Sequence, residues 1–206
     1  TSSRGHWLYA LMLASGFAGL GYEMVWTRML AVALGHEIVA VLAVVAAFFT
    51  GLGLGALALN DRIRRSARPA RWYAALEVII GLWALLLIWL IPAFNNWMPG
   101  WIGEQPSSLR HWGVAFVGTL VLLLPATAAM GATLPAMERL LTALRRDGWN
   151  VGGLYAANTF GAVAGTMAAT YLIAPTLGFT MTLLLLSSVN FACAAAILTG
   201  IRGETP

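Results

Sequence analysis

The sequence predicts an all-α fold, a polytopic membrane helix bundle of six transmembrane helices, from three features. First, 60% of its 206 residues are hydrophobic and only 10% are charged, with a mean hydropathy of +0.79. Such a balance belongs to integral membrane proteins rather than soluble domains. Second, six stretches, 7–34, 38–59, 72–94, 111–137, 150–174 and 179–200, supply the roughly 20 mainly apolar residues that a crossing needs. Third, the breaks between them carry turn or polar chemistry: "GHE" at 35–37, "NDRIRRSARPAR" at 60–71, "NNWMPGWIGEQPSSLR" at 95–110, "ERLLTALRRDG" at 138–148 and "PTLG" at 175–178. Residues 1–206 read as one transmembrane domain, with no soluble catalytic domain expected within it.

All 12 basic residues are arginine, and they cluster. Arg62, Arg64, Arg65, Arg68 and Arg71 lie between the second and third spans, Arg139, Arg145 and Arg146 between the fourth and fifth, and Arg4 and Arg202 at the ends. With six spans these fall on one side, leaving Arg110 on the other. The positive-inside rule makes the arginine side cytoplasmic, with both termini there; the family resemblance given below implies a bacterial inner membrane. Trp7, Trp72 and Trp149 then mark the inner interface, and Trp97, Trp101 and Trp112 the outer one. A basic chain of this kind meets anionic headgroups rather than nucleic acid, because its arginines sit in short loops between apolar spans.

The first span is too long for a cleaved leader and shows no clear small-residue cleavage site, so it is read as retained. Gly16, Gly19 and Gly21 interrupt it just before Tyr22 and Glu23, and Arg28 follows. Charged groups at the centre of a span cost roughly 2.5–3.5 kcal/mol each and mark functional candidates. Glu23 and Arg28 are five residues apart, about 140° around a helix, so they do not face each other and each looks to another partner. Arg28, about 7.5 Å further along, reaches the outer surface or Glu37.

The second span holds Gly51, Gly53 and Gly55 before Asp61. A dinucleotide loop needs a strand ahead of it. Embedded in an apolar run, Gly51 with Gly55, and again Gly161 with Gly165 in the fifth span, read as close-packing contacts. "NDRIRR" resembles the basic loop between the second and third helices of major-facilitator transporters, where such residues contact helix ends; a plain topology signal explains the arginines equally well. The implied fold is a bundle resembling half of a major-facilitator protein.

In the third span Glu77 follows Tyr73 by one turn. The fourth span carries Pro125, Gly131 and Pro135 and is expected to kink or break. Interrupted first and fourth spans, at corresponding positions of two three-helix halves, point toward a midplane site, although no residue-by-residue internal repeat is evident. The fifth span adds Tyr155 and Asn158, and the sixth Asn190 and Cys193, the only cysteine. Two readings of the polar set stay open. These groups either bond across helices and fix the register, or line a polar cavity for a cationic or zwitterionic ligand, with Glu23 and Glu77 as acceptors and Tyr22, Tyr155 and Asn158 beside them. No catalytic constellation, metal set or cofactor motif is evident: His6, His36 and His111 are scattered at span ends.

"SGFAGLGYEMVWTRMLAVALG", "AAFFTGLGLGALALNDR", "YAALEVIIGLWALL", "LPATAAMGATLPAM" and "VGGLYAANTFGAVAGTMAATYLIAPTLG" resemble, in order, the membrane domain of multi-pass bacterial spermidine-synthase-like proteins, also called fused major-facilitator and spermidine synthase proteins. The residues matching that family's segments are Tyr22, Glu23, Trp26, Arg28, Glu77, Tyr155 and Asn158. In the family a cytoplasmic aminopropyltransferase domain usually follows, transferring a propylamine group from decarboxylated S-adenosylmethionine to putrescine. The resemblance implies a membrane module that binds or passes a small cationic metabolite, or docks an aminopropyltransferase, without being an enzyme by itself. The alternatives are a non-catalytic accessory subunit of a larger respiratory or photosynthetic membrane complex, and a homodimeric transporter. Its expected partners are the lipid bilayer, an aminopropyltransferase or larger membrane complex, or a second copy of the chain.

Overall fold

The computed structural model describes residues 6–34, 37–103, 107–144 and 151–202. Among them every regular element is helical: α1 (His6–Leu34), α2 (Glu37–Arg64), α3 (Pro69–Ile102), α4 (Ser108–Ala143), α5 (Val151–Ala168), a π-helical turn (Ala169–Ile173) and α6 (Ala174–Arg202). By length and composition, five helical segments are long and apolar enough to cross a membrane: His6–Val32, Ile38–Arg64, Pro69–Ile102, Leu109–Ala143 and Val151–Gly200.

The expected count of six is thereby corrected to five, because stretches 150–174 and 179–200 join into one helical segment of 50 residues. In the π-helical turn the Ala174 N–H reaches back five residues to Ala169 O, which carries the helix up to Pro175 in a shifted register. The segment is not straight. At Gly178 the backbone takes φ 77° and ψ 169°, a conformation open to glycine and strained for other residues. Before that point α5 runs parallel to α1, with Gly153 against Tyr9, Gly161 against Leu13 and Gly165 against Phe17. Beyond it α6 runs antiparallel to α1, with Leu186 against Gly21, Cys193 on Leu11 and Gly200 against Trp7.

Glycine sets the closest helix contacts. A Cβ on Gly55 would strike the Ala128 carbonyl and one on Gly131 the Leu52 carbonyl, so α2 and α4 lie backbone to backbone. Gly161 and Gly165 do the same for α5 on the Leu13 and Phe17 carbonyls of α1. Such contact is what small residues four apart permit. Gly53, by contrast, faces open space.

The anticipated break in α4 does not occur: Pro125 and Pro135 lie inside one continuous helix, and α1 is likewise unbroken through Gly16, Gly19 and Gly21. Side chains supply donors where Pro125 loosens the ladder. Trp83 Nε1 donates to Leu122 O at 2.8 Å and Thr127 Oγ1 to Leu123 O at 2.9 Å. The ends of α4 and α3 carry ordinary terminal chemistry: Ser107 accepts from the Arg110 N–H at 3.3 Å, and Pro69 starts α3.

The bundle has two distinct ends. At one, the exposed Arg62, Arg64, Arg65, Arg68 and Arg71 gather, and Arg139 Nε donates to the Arg64 carbonyl at the end of α2, 2.9 Å away. Leu198 joins Arg68, Arg71, Leu140 and Leu144 around a cavity of about 360 Å³ there. At the other end, His111 Nε2 bonds Leu34 O at 3.2 Å, near exposed Trp97, Trp101 and Trp112. Arg4, Arg145, Arg146 and Trp149, also assigned to the arginine side, lie outside the described residues. Large apolar side chains cover the exterior, as at Leu57, Val32, Phe49 and Phe160.

Candidate functional site

Polar side chains of three helices converge between α1, α3 and α6. On α3 Tyr73 and Glu77 share a face at four-residue spacing; on α6 Ser187, Asn190 and Cys193 recur every three residues; on α1 Ser15 and Tyr22 are two turns apart. Each set belongs to the buried stripe of an otherwise apolar helix, which brings the three stripes together. Glu77, Asn190, Tyr22 and Tyr73 are each 0% exposed.

Their hydrogen bonds form a chain. Tyr22 Oη donates to Asn190 Oδ1 at 2.7 Å and lies 3.2 Å from Ser187 Oγ. Asn190 Nδ2 donates to Glu77 Oε2 at 2.6 Å. Tyr73 Oη donates to Leu11 O at 3.4 Å, and Cys193 Sγ lies 3.9 Å from the same carbonyl. Trp26 stacks on Tyr22, with ring centroids 5.1 Å apart and planes at 8°, fixing the phenol's direction. Within this cluster the buried Glu77 Oε1 and Trp26 Nε1 make no well-aligned hydrogen bond, although Ser15 and Tyr73 stand beside the Glu77 carboxyl. All side chains bonded to Glu77 or Tyr22 are neutral, and among the described residues no ion pair reaches Glu77. A carboxyl placed this way, among neutral side chains and with no basic neighbour, offers acceptors to a group that brings positive charge and donors.

The structure unites only part of the sequence-derived set. Tyr22 and Glu77 meet through Asn190. Glu23 is half-buried and Arg28 exposed, and no ion pair joins them among the described residues; the Glu37 side chain lies outside the description. Tyr155 faces outward, 61% exposed, and its carbonyl accepts from Thr159. Asn158 is half-buried on α5 against Gly16, away from the network. Of the two readings, the one that sets Glu23, Tyr155 and Asn158 beside Glu77 is not the grouping the structure shows, because a carboxyl or amide inside an apolar span does not reveal which neighbour its face meets. Asn190 belongs to the polar set read from the sequence and Tyr73 is noted there beside Glu77, but neither is among the ligand candidates, and Ser187 and Ser15 are missing from the reading although their three- and seven-residue spacings are legible. No group of three or more His, Cys, Asp or Glu side chains able to hold a metal occurs among the described residues.

Comparison with characterised sequences gives related proteins over nearly the whole chain. Polyamine aminopropyltransferase 2 of Streptomyces coelicolor is 30% identical over 197 residues, covering 93% of this chain and 34% of that protein. The chain is distantly related to polyamine aminopropyltransferases. Polyamine aminopropyltransferase of Mycobacterium tuberculosis is 27% identical over 203 residues, 92% of this chain and 35% of that protein, and the Mycobacterium bovis protein matches equally. The chain thus spans about a third of the length of these relatives. No family model matches it, and no solved structure does.

Proposed function

We propose that this chain is the membrane-embedded helical module of a polyamine aminopropyltransferase-like protein, a bundle resembling half of a major-facilitator protein, and that its α1–α3–α6 network receives a small organic cation of the polyamine class. The observation that carries the ligand reading is Glu77: fully buried, bonded by Asn190, flanked by the neutral Ser15 and Tyr73 and without a basic neighbour. A carboxyl inside an apolar bundle is a functional candidate on energetic grounds. Apolar side chains on the outside, with polar ones gathered within, suit a lipid solvent. The arginine-rich end is the cytoplasmic one by the positive-inside rule.

A second reading concerns that same end. A polar groove of about 480 Å³ lined by Asn60, Arg64, Pro135, Glu138, Arg139 and Thr142 offers both charges to a docked aminopropyltransferase.

The ligand reading is tested by equilibrium binding of radiolabelled spermidine and putrescine to the purified chain in nanodiscs. Saturable binding is expected, weakened at least tenfold by Glu77→Gln and little changed by Glu23→Gln. No saturable binding to the parent chain, or equal binding by Glu77→Gln, refutes it.

A further inference from the structure

The seam between α3 and α4 opens into a groove toward the tryptophan end of the bundle. Its cavity of about 510 Å³ runs from Leu90 to Trp101 along α3 and from Gly113 to Leu122 along α4, and apolar side chains and glycines make up the whole lining. Glycine shapes it. Gly118 lets the Phe94 ring lie directly on α4 as a floor, and Gly113 leaves its part of the α4 wall bare, with nothing within 4 Å of where a Cβ would stand. At the deep end Trp83 crosses the seam to donate to Leu122 O at 2.8 Å, which closes it.

The length of the groove says what fits it. At a rise of 1.5 Å per residue, Leu90 to Trp101 spans about 16–17 Å and Gly113 to Leu122 about 13–14 Å. The hydrocarbon core of a bilayer is about 30 Å thick, so one leaflet contributes about 15 Å. Exposed Trp97 and Trp101 at the mouth belong at the headgroup level, where amphipathic rings collect. A groove that starts at that level and stops at half depth matches one acyl chain of one leaflet. A partner helix crosses the full thickness and would be matched over only half its length.

The mouth carries a charge that suits a headgroup. Arg110 stands one turn before Gly113 on α4, and its Nη1 lies 3.9 Å from the Cβ position of Gly103, which caps α3 two residues after Trp101. The exposed guanidinium thus sits over the open end of the seam. Ser107 Oγ takes the Arg110 backbone N–H, but among the described residues no carboxylate pairs with the guanidinium. A planar guanidinium offers paired donors to a phosphate.

We infer that the α3–α4 groove binds one phospholipid of the leaflet at the tryptophan end, with an acyl chain on Phe94 and Gly118 and the headgroup phosphate on Arg110. Within a bilayer the chain gains nothing from leaving water, so its selection over bulk lipid comes from van der Waals fit in the groove and from the arginine. The inference rests on the membrane-embedded part of the reading above and is independent of the Glu77 site.

The experiment reconstitutes the full chain into bilayers of equal parts phosphatidylglycerol and phosphatidylcholine, re-extracts it in mild detergent and counts the phospholipid retained per chain by native mass spectrometry. The parent should hold one phospholipid, with phosphatidylglycerol preferred about fivefold, as one arginine facing a net negative headgroup implies. Arg110→Gln should abolish the preference. Gly113→Leu, whose side chain enters the groove without striking the protein, should retain at least fivefold less of either lipid, whereas Gly53→Leu, facing open space on α2, should match the parent. If Gly113→Leu fails to fold, Val117→Phe, at an exposed position of the same wall, should show the same loss. No lipid on the parent, or equal retention by the parent and the groove variant, overturns the site, and a preference undiminished in Arg110→Gln overturns the headgroup placement. A dimeric parent that Gly113→Leu separates gives the groove to a second copy and overturns the lipid. Recovery of the chain in the soluble fraction overturns the membrane reading together with this inference, whereas loss of the lipid site alone leaves the membrane reading standing.

Discussion

The hydrogen bond between Tyr22 and Asn190 joins two helices inside the apolar bundle, and its removal has a calculable signature. Tyr22→Phe deletes one oxygen while leaving the ring on Trp26, so the stacking at 5.1 Å survives. The loss is the 2.7 Å bond to Asn190 Oδ1 and the 3.2 Å approach to Ser187. Interhelical hydrogen bonds in a membrane average about 0.6 kcal/mol and reach about 1.7 kcal/mol, because the separated helices find other partners. Asn190→Leu deletes this bond and the 2.6 Å bond to Glu77 together, so its cost is about 1–3 kcal/mol. In the double variant the Tyr22–Asn190 bond is counted once rather than twice. The two changes should therefore fall short of additivity by about 0.6–1.7 kcal/mol. The assay is reversible unfolding of the reconstituted chain by steric trapping or mixed-micelle titration for the parent, both single variants and the double. Additivity within about 0.3 kcal/mol, the behaviour of independent sites, would refute the network.

Further outcomes follow from packing and placement. Gly55→Leu and Gly165→Leu each drive a side chain into a facing carbonyl and should lower stability by similar amounts, at least about 1–3 kcal/mol, whereas Gly53→Leu faces open space and should be nearly neutral; thermal unfolding in detergent compares the three. Arg28→Gln removes an exposed charge that has no ion pair among the described residues and should change stability by less than about 0.5 kcal/mol, measured by the same unfolding titration; a loss above about 1 kcal/mol would mean that Arg28 has a partner in the folded bundle.

Much of the architecture is written in the sequence, and the remainder is hidden for definable reasons. Helical spans are legible because apolar length and the polar breaks are one-dimensional signals, and the arginine cluster at 62–71 marks one end directly. The five-residue spacing of Glu23 and Arg28 correctly separated them. The break read at "PTLG" is present at Gly178, where the backbone leaves helical geometry and the chain turns back, whereas the π-helical turn that carries the helix through Pro175 up to it was not legible. Of the kink or break expected in α4, no break occurs, and Trp83 of a neighbouring helix donates to the carbonyl next to the one that Pro125 frees, a tertiary contact that no local pattern records. In the candidate site, Tyr22 and Glu77 stood out as polar groups in apolar runs. Ser187 and Ser15 did not, since a serine in such a helix can satisfy its hydroxyl on its own backbone, as Ser188 does on Leu185 O.

The claim on which the rest depends is that the bundle lies across a membrane with its arginine end on one side. Ala67→Cys and Leu109→Cys place single thiols at exposed positions near opposite ends of the bundle, in a Cys193→Ala background that removes the native thiol. In sealed, oriented cells or vesicles, a membrane-impermeant thiol reagent added outside should label Leu109→Cys in intact membranes and Ala67→Cys only after permeabilisation. Equal labelling of both in intact membranes, or recovery of the chain in the soluble fraction, would contradict the account.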